Sequence, residues 1–210
     1  KLKRIKIPKK LKKIDDYTFE GCSSLEEVDF QNTLEEIGNN AFFSCTTLKK
    51  ISIPDSVTSI KSWSFCWCSS IEEVKLPSNL NKIEDCIFEG CSKLSKIHIP
   101  PSVAEICNCS FNFCKSLKEV SIPSQIKSIS SNSFANCSSL VDVSLPQNLQ
   151  TINERAFYKC SSLKRINLPE NLKSIHNGAF ADCSKLQQIQ LPESLTLIGN
   201  DAFNSCSSLS

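Results

Sequence analysis

The sequence predicts an α/β repeat solenoid, an arc of stacked rungs with one parallel sheet on its concave side and short helical turns and loops on its convex side. Three observations predict it. Nine of the 13 cysteines, from Cys22 to Cys206, recur at intervals of 23 residues. A phenylalanine stands three residues before each, from Phe19 to Phe203, and a leucine (once Ile71) three residues after. An isoleucine column from Ile14 to Ile198 keeps the same period. A period held without insertion over nine copies marks a solenoid, in which one copy cannot bury its apolar face until neighbours stack on it.

Each element follows from one copy. Lys50-Ile51-Ser52-Ile53 alternates polar and apolar, the pattern of a short half-buried strand. Pro54 stops it, because proline has no N–H for the ladder. Pro8, Pro77, Pro100, Pro123, Pro146, Pro169 and Pro192 repeat the stop, and Gln31 replaces it once. The Ala-Phe-x-x-Cys stretch, as in Ala156 to Cys160, reads as one short helical turn. No linker breaks the period, so residues 1–210 form a single domain, and both termini fall inside the pattern, as in an uncapped slice of a longer array.

Composition narrows the function. The 210 residues are 40% hydrophobic with a formal net charge of +2, too apolar for disorder and too neutral for a general nucleic-acid binder. No run of 18 apolar residues is present to cross a membrane as a helix, and no signal peptide is visible.

The copy from Leu186 to Cys206, with Ile189, Leu191, Pro192, Leu195, Ile198, Gly199, Ala202 and Phe203 between, resembles the Treponema-type, or BspA-like, leucine-rich repeat. Departures are small: Thr18, Ser64, Ile87, Ser110 and Ser133 stand where the family has alanine. The resemblance covers essentially the whole chain. It implies a leucine-rich-repeat arc, a cell-surface or secreted location, and a non-enzymatic protein-binding role of the adhesin kind toward host or cell-surface proteins. The alternatives are an intracellular scaffold and a self-associating structural spacer.

The remaining candidates for chemistry have plain explanations. Neighbouring cysteines of the column lie within disulfide range, but stacked side chains point the same way, so buried free thiols are expected. A straight sulfur ladder does not converge on a tetrahedral zinc. Cys86 and Cys109 share a second column on adjacent rungs, and the spacing leaves their redox state open. His98 and His176 fall on different faces, and the recurrent Cys-Ser-Ser-Leu serines are expected to bond turn backbone. No catalytic constellation, cofactor motif or metal site rises above the repeat.

Binding is therefore expected on surfaces. The outward strand column reads Arg4, Glu27, Lys50, Glu73, Lys96, Glu119, Asp142, Arg165, Gln188, alternating in sign through six rungs and neutralising itself. Further along, His98, Ser121, Ser144, Asn167 and Gln190 form a neutral column beside Lys96, Lys164, Arg165 and Gln188, the expected partner surface for a polar protein epitope. Residues 1–13 hold eight Lys or Arg, read as edge protection or as an anion-binding end. Phe43, Trp63, Trp67 and Phe113 lie outside the core columns on the convex side, where the two expectations are partial burial under the convex segments and a homo-dimer contact.

Overall fold

A computed structural model describes residues 2–210. The chain coils as a parallel β-solenoid of about eight turns. One strand column runs through Arg4–Lys6, Glu27–Asp29, Lys50–Ser52, Glu73–Lys75, Lys96–Ile97, Glu119–Ser121 and Asp142–Ser144. An isolated bridge between Arg165 and Gln188 continues it. Each pairing sets a residue opposite the one 23 positions on, as Arg4 opposite Glu27 and Val120 opposite Val143. The central residue of each strand is the inward one: Ile51, Val74, Val120 and Val143 are buried between exposed neighbours.

A second strand column was not anticipated. Two-residue strands at Lys13–Ile14, Glu36–Ile37, Ser59–Ile60, Lys82–Ile83, Glu105–Ile106, Ser128–Ile129, Thr151–Ile152, Ser174–Ile175 and Leu197–Ile198 pair in the same parallel register. A strand this short offers no alternation to read, so the isoleucine column shows only as a core position.

The expected helical turns are also corrected. Among the described residues the Ala-Phe-x-x-Cys side contains turns and no helix. Each rung there carries two residues in the left-handed region, four apart, with the core phenylalanine midway: Asn40 and Ser44 around Phe42, Trp63 and Trp67 around Phe65. A helix would direct each N–H back along its own rung. Here the N–H groups of both left-handed residues and of the phenylalanine donate to the next rung instead. Trp63 donates to Asp85 O, Phe65 to Ile87 O and Trp67 to Glu89 O, at 2.6–3.1 Å. Left-handed backbone costs a residue with a side chain roughly 1–2 kcal/mol, so glycine, as at Gly21, Gly90 and Gly178, is the relaxed occupant.

The core lies between the three sides. Phe42, Phe65, Phe88, Phe111, Phe134, Phe157 and Phe180 are fully buried and stack face to face, with centroids 5.2–5.9 Å apart. The cysteine column does more than fill space. Each thiol from Cys45 to Cys206 donates Sγ–H to the carbonyl of the phenylalanine 26 residues earlier, at 3.0–3.3 Å. Ser64 and Ser110, standing in the alanine column, are buried and likewise bond the preceding rung, at Gly38 O and Glu84 O. The recurrent Cys-Ser-Ser-Leu hydroxyls bond turn backbone, and they reach it on the preceding rung, as Ser207 to Ser184 O, with Ser92 to Ser69 O in a Cys-Ser-Lys-Leu copy.

The charge ladder resolves into discrete pairs: Arg4 with Glu27 at 3.3 Å, Lys50 with Glu73 at 3.4 Å and Lys96 with Glu119 at 3.7 Å. All are exposed, so each contributes at most about 1 kcal/mol, and their role is to favour one register over its neighbours. The basic first rung is absorbed in the same way. Lys3, Lys6, Lys12 and Lys13 each pair with an acid on the second rung, at Glu26, Asp29, Glu35 and Glu36.

Two outcomes follow. Glu73→Lys sets three cations in line with Lys50 and Lys96 and should cost about 1 kcal/mol at low salt, less as salt screens the contact; urea midpoints at two ionic strengths measure it, and an unchanged low-salt midpoint would make the ladder incidental. The second concerns alkaline pH. Burial pushes the Cys137 thiol from its ordinary 9.0 up to about 12, and raises Cys91, Cys114 and Cys160 likewise. A thiol harder to ionise when folded leaves stability intact below pH 9, where both states hold the proton. Above it the unfolded chain loses protons that the folded chain keeps, so stability should fall as pH rises between 9 and 12, with a shallower fall in Cys137→Ser.

Candidate functional site

Strand pairing carries every outward residue of the first column to one face, and the face changes character along the rod. Beyond Glu119, among the described residues, no ion pair engages it. Two open hollows lie on the later part of this face, the first reaching back to the Lys96–Glu119 pair. One, of about 450 Å³, is lined by Lys96, His98, Ser121 and Ser144, together with Glu119 and Asp142. The other, of about 410 Å³, is lined by Arg165, Asn167, Gln188 and Gln190, with Glu170 and Pro192 at its edge. The expected partner residues thus fall into two groups on one face, with Lys164 in neither hollow. Lys96 is already engaged by Glu119. The acids Asp142 and Glu170 were not anticipated as lining residues; Asp142 stands one period before Arg165 in the outward column, and Glu170 follows the proline stop of Arg165's own rung.

The aromatic residues sit on the turn face. Trp63 and Trp67 occupy the two left-handed positions of one rung, with φ of 64° and 58°, and are 39% and 43% exposed. The Trp67 ring reaches Phe113, two rungs on, with centroids 6.0 Å apart and a 31° tilt. Gly90 lies between them. A Cβ added there would meet Trp67 Cε3 at 2.5 Å, so the indole lies over bare backbone. Phe43 is half-buried, and among the described residues no ring pair joins it or Trp63 to the others. Gly90 is the residue that sequence reading passed over, although it shares the column of Trp67 and Phe113.

All 13 cysteines are free thiols. Cys86 and Cys109 are adjacent in their column; hydrogen bonding to Cys109, with burial, holds the Cys86 proton on, while hydrogen bonding to Cys86 draws the Cys109 thiol below its ordinary value against the opposing effect of burial. Among the described residues no group of three His, Cys, Asp or Glu side chains is placed to hold a metal ion. His98 lies on the strand face, and His176 follows the second strand column on the far side of the core.

The chain matches the family described as the BspA type leucine rich repeat region, in six copies over residues 1–118 and 82–210. It resembles the crystal structure of a leucine-rich repeat protein of T. pallidum at 28% identity and a TM-score of 0.73, over 77% of this chain and 78% of that one. It also resembles the pneumococcal vaccine antigen PcpA, at 21% identity and a TM-score of 0.60, over 96% of this chain and 55% of that one. A leucine-rich repeat protein from Eubacterium ventriosum aligns at 23% identity and a TM-score of 0.53, over 96% of this chain and 76% of that one. No match was found among curated proteins. With the family match spanning the chain from end to end, and the in-register stack beneath it, the chain belongs to the BspA-type leucine-rich repeat family.

Proposed function

We propose that the chain is a non-enzymatic protein-binding module of an adhesin-like surface or secreted protein, and that its partner docks on the later strand face, centred on Arg165, Asn167, Gln188 and Gln190. Leucine-rich repeats of this family mediate protein–protein interaction, and the family's association with cell surfaces supports the location. The observation that carries the binding face is the change in its pairing. Up to Glu119 the outward cations and acids satisfy one another across rungs, so a partner there must displace existing pairs. Around Arg165, Asn167, Gln188 and Gln190 the donors and acceptors line an open hollow and are free to bond outward. A flat, amide-rich surface suits a polar protein epitope, since small apolar ligands need a deep concave pocket.

A second reading, an intracellular scaffold, is favoured by the 13 free thiols, among which Cys86 and Cys109 lie in contact without a bond. The surface reading is preferred because nine of the 13 belong to the packing column and are buried or nearly so in any compartment.

Binding of the chain to a panel of host extracellular proteins, measured on a sensor surface, tests the reading. Arg165→Ala with Gln188→Ala should weaken the strongest interaction on the order of tenfold, and Lys50→Ala with Glu73→Ala by less than about twofold. Weakening by the second pair alone would place the partner elsewhere.

A further inference from the structure

We propose that Cys86 and Cys109 are a redox pair that closes to a disulfide on the turn side and locks two neighbouring rungs together, independently of what the strand face binds. The two stand outside the core cysteine column and fall one period apart. Backbone bonding sets them side by side: Cys86 N–H donates to Asn108 O at 3.0 Å and Phe88 N–H to Ser110 O at 2.9 Å. In-register rungs lie roughly 4.8 Å apart, inside the roughly 4.4–6.8 Å that a disulfide allows between Cα atoms. The two φ angles, 56° and 57°, are alike, so the Cβ atoms stand at the rung spacing as well. They need to close by only about 0.3 Å to come within disulfide range.

The core column has the same spacing and is nonetheless held open. Its thiols are spent on phenylalanine carbonyls of the preceding rung, as Cys68 on Phe42 O at 3.0 Å, and the stacked rings leave them no room to turn. The second column differs in both respects. Hydrogen bonding to Cys86 draws the Cys109 thiol below its ordinary value against the effect of burial, and Cys109 is only half-buried. Cys109 is therefore the sulfur that forms a thiolate and meets an oxidant first. Cys86 lies buried against it, with the Glu89 carboxylate beside its proton. Asn112 holds that carboxylate in place, donating from Nδ2 to Glu89 Oε1 at 2.9 Å. The other cysteines outside the core column do not compete. Burial pushes the Cys66 thiol up to about 12, and the Cys107 thiol is turned to Glu105 Oε1 at 3.4 Å.

A low-molecular-weight disulfide such as oxidised glutathione supplies the oxidant. The Cys109 thiolate attacks one of its sulfurs; a mixed disulfide forms, the glutathione S–S bond breaks and one glutathione thiolate leaves. Cys86 then gives up its proton on the Glu89 side and attacks Cys109 Sγ, expelling the second glutathione thiolate. The two protein thiol protons end on the two glutathiones, and the two electrons lost by the cysteine pair reduce the oxidant. The bond closes in oxidising surroundings and stays open in reducing ones. Its mechanical reach extends to Trp67. Gly90, over which the Trp67 ring lies, and Phe113, which the ring reaches, each stand four residues beyond one of the two cysteines. The closed bond ties together the two turns that the indole bridges.

The test is incubation of the whole chain with oxidised glutathione, followed by peptide mapping without reduction. One internal bond joining Cys86 to Cys109 is expected, with the core thiols unreacted. Mapping the wild-type chain needs no substitution, so the result does not depend on how a variant folds. Cys86→Ser removes the resolving thiol and should leave glutathione trapped on Cys109. Cys109→Ser should slow the reaction of Cys86 on the order of tenfold or more. The oxidised wild-type chain should melt about 5 °C above the reduced one, a gain that neither variant shows. Survival of both thiols in about 5 mM oxidised glutathione would overturn the proposal. So would a bond from Cys109 to Cys66 or Cys107, or disulfide-linked dimers in place of the internal bond.

Discussion

Backbone hydrogen bonding between rungs in strict 23-residue register is the constraint on which the rest of the molecule depends. It acts on both strand columns and, through left-handed residues, on the turn side as well. Because each rung lies directly on the last, every side chain meets its own counterpart from the neighbouring copies. Phenylalanine can stack on phenylalanine at 5.2–5.9 Å, and a thiol can reach the carbonyl one rung back. A charge, however, meets its counterpart 23 residues away, and Lys12 with Glu35 and Lys82 with Glu105 meet opposites there, whereas Glu119 faces Asp142. Core and surface obey one rule of translation.

The same rule makes departures from it informative. Where a column runs unbroken, each residue serves the stack and has little left for another molecule. Function has room where the column breaks. On the strand face the break is chemical, as paired charges give way to amides and hydroxyls around Asn167 and Gln190. On the turn face it is steric, as the Trp67 indole lies over the backbone of the next rung and Gly90 clears the space it needs.

Much of this was legible beforehand because a repeat makes the sequence its own alignment. The first strand column, the proline stops and the buried phenylalanine and cysteine columns are visible in the 23-residue period alone. What was not legible depends on backbone direction. The second strand column hides because two residues carry no alternation. The helical expectation fails because the turn side alternates right- and left-handed residues, and nothing in Trp63, Trp67 or Cys86 announces a positive φ. The basic first rung, read as edge protection or an anion-binding end, turned out to set Lys3, Lys6 and Lys13 against acids at the common offset. On the strand face the outward columns were legible from the period, but the hollows between their rungs were not.

The N–H groups that leave the turn side have an electrical consequence. In a sheet, successive peptides point opposite ways and their dipoles largely cancel. On this side three N–H groups per rung all point toward the following rung, from Tyr17, Phe19 and Gly21 through to Gly178, Phe180 and Asp182. Their dipoles therefore add along the rod, as those of a helix do. The positive pole falls at the last rungs and the negative pole at the first. The solenoid is thus polarised lengthwise by its backbone, positive toward its later rungs, and every rung added to the stack adds to the same dipole.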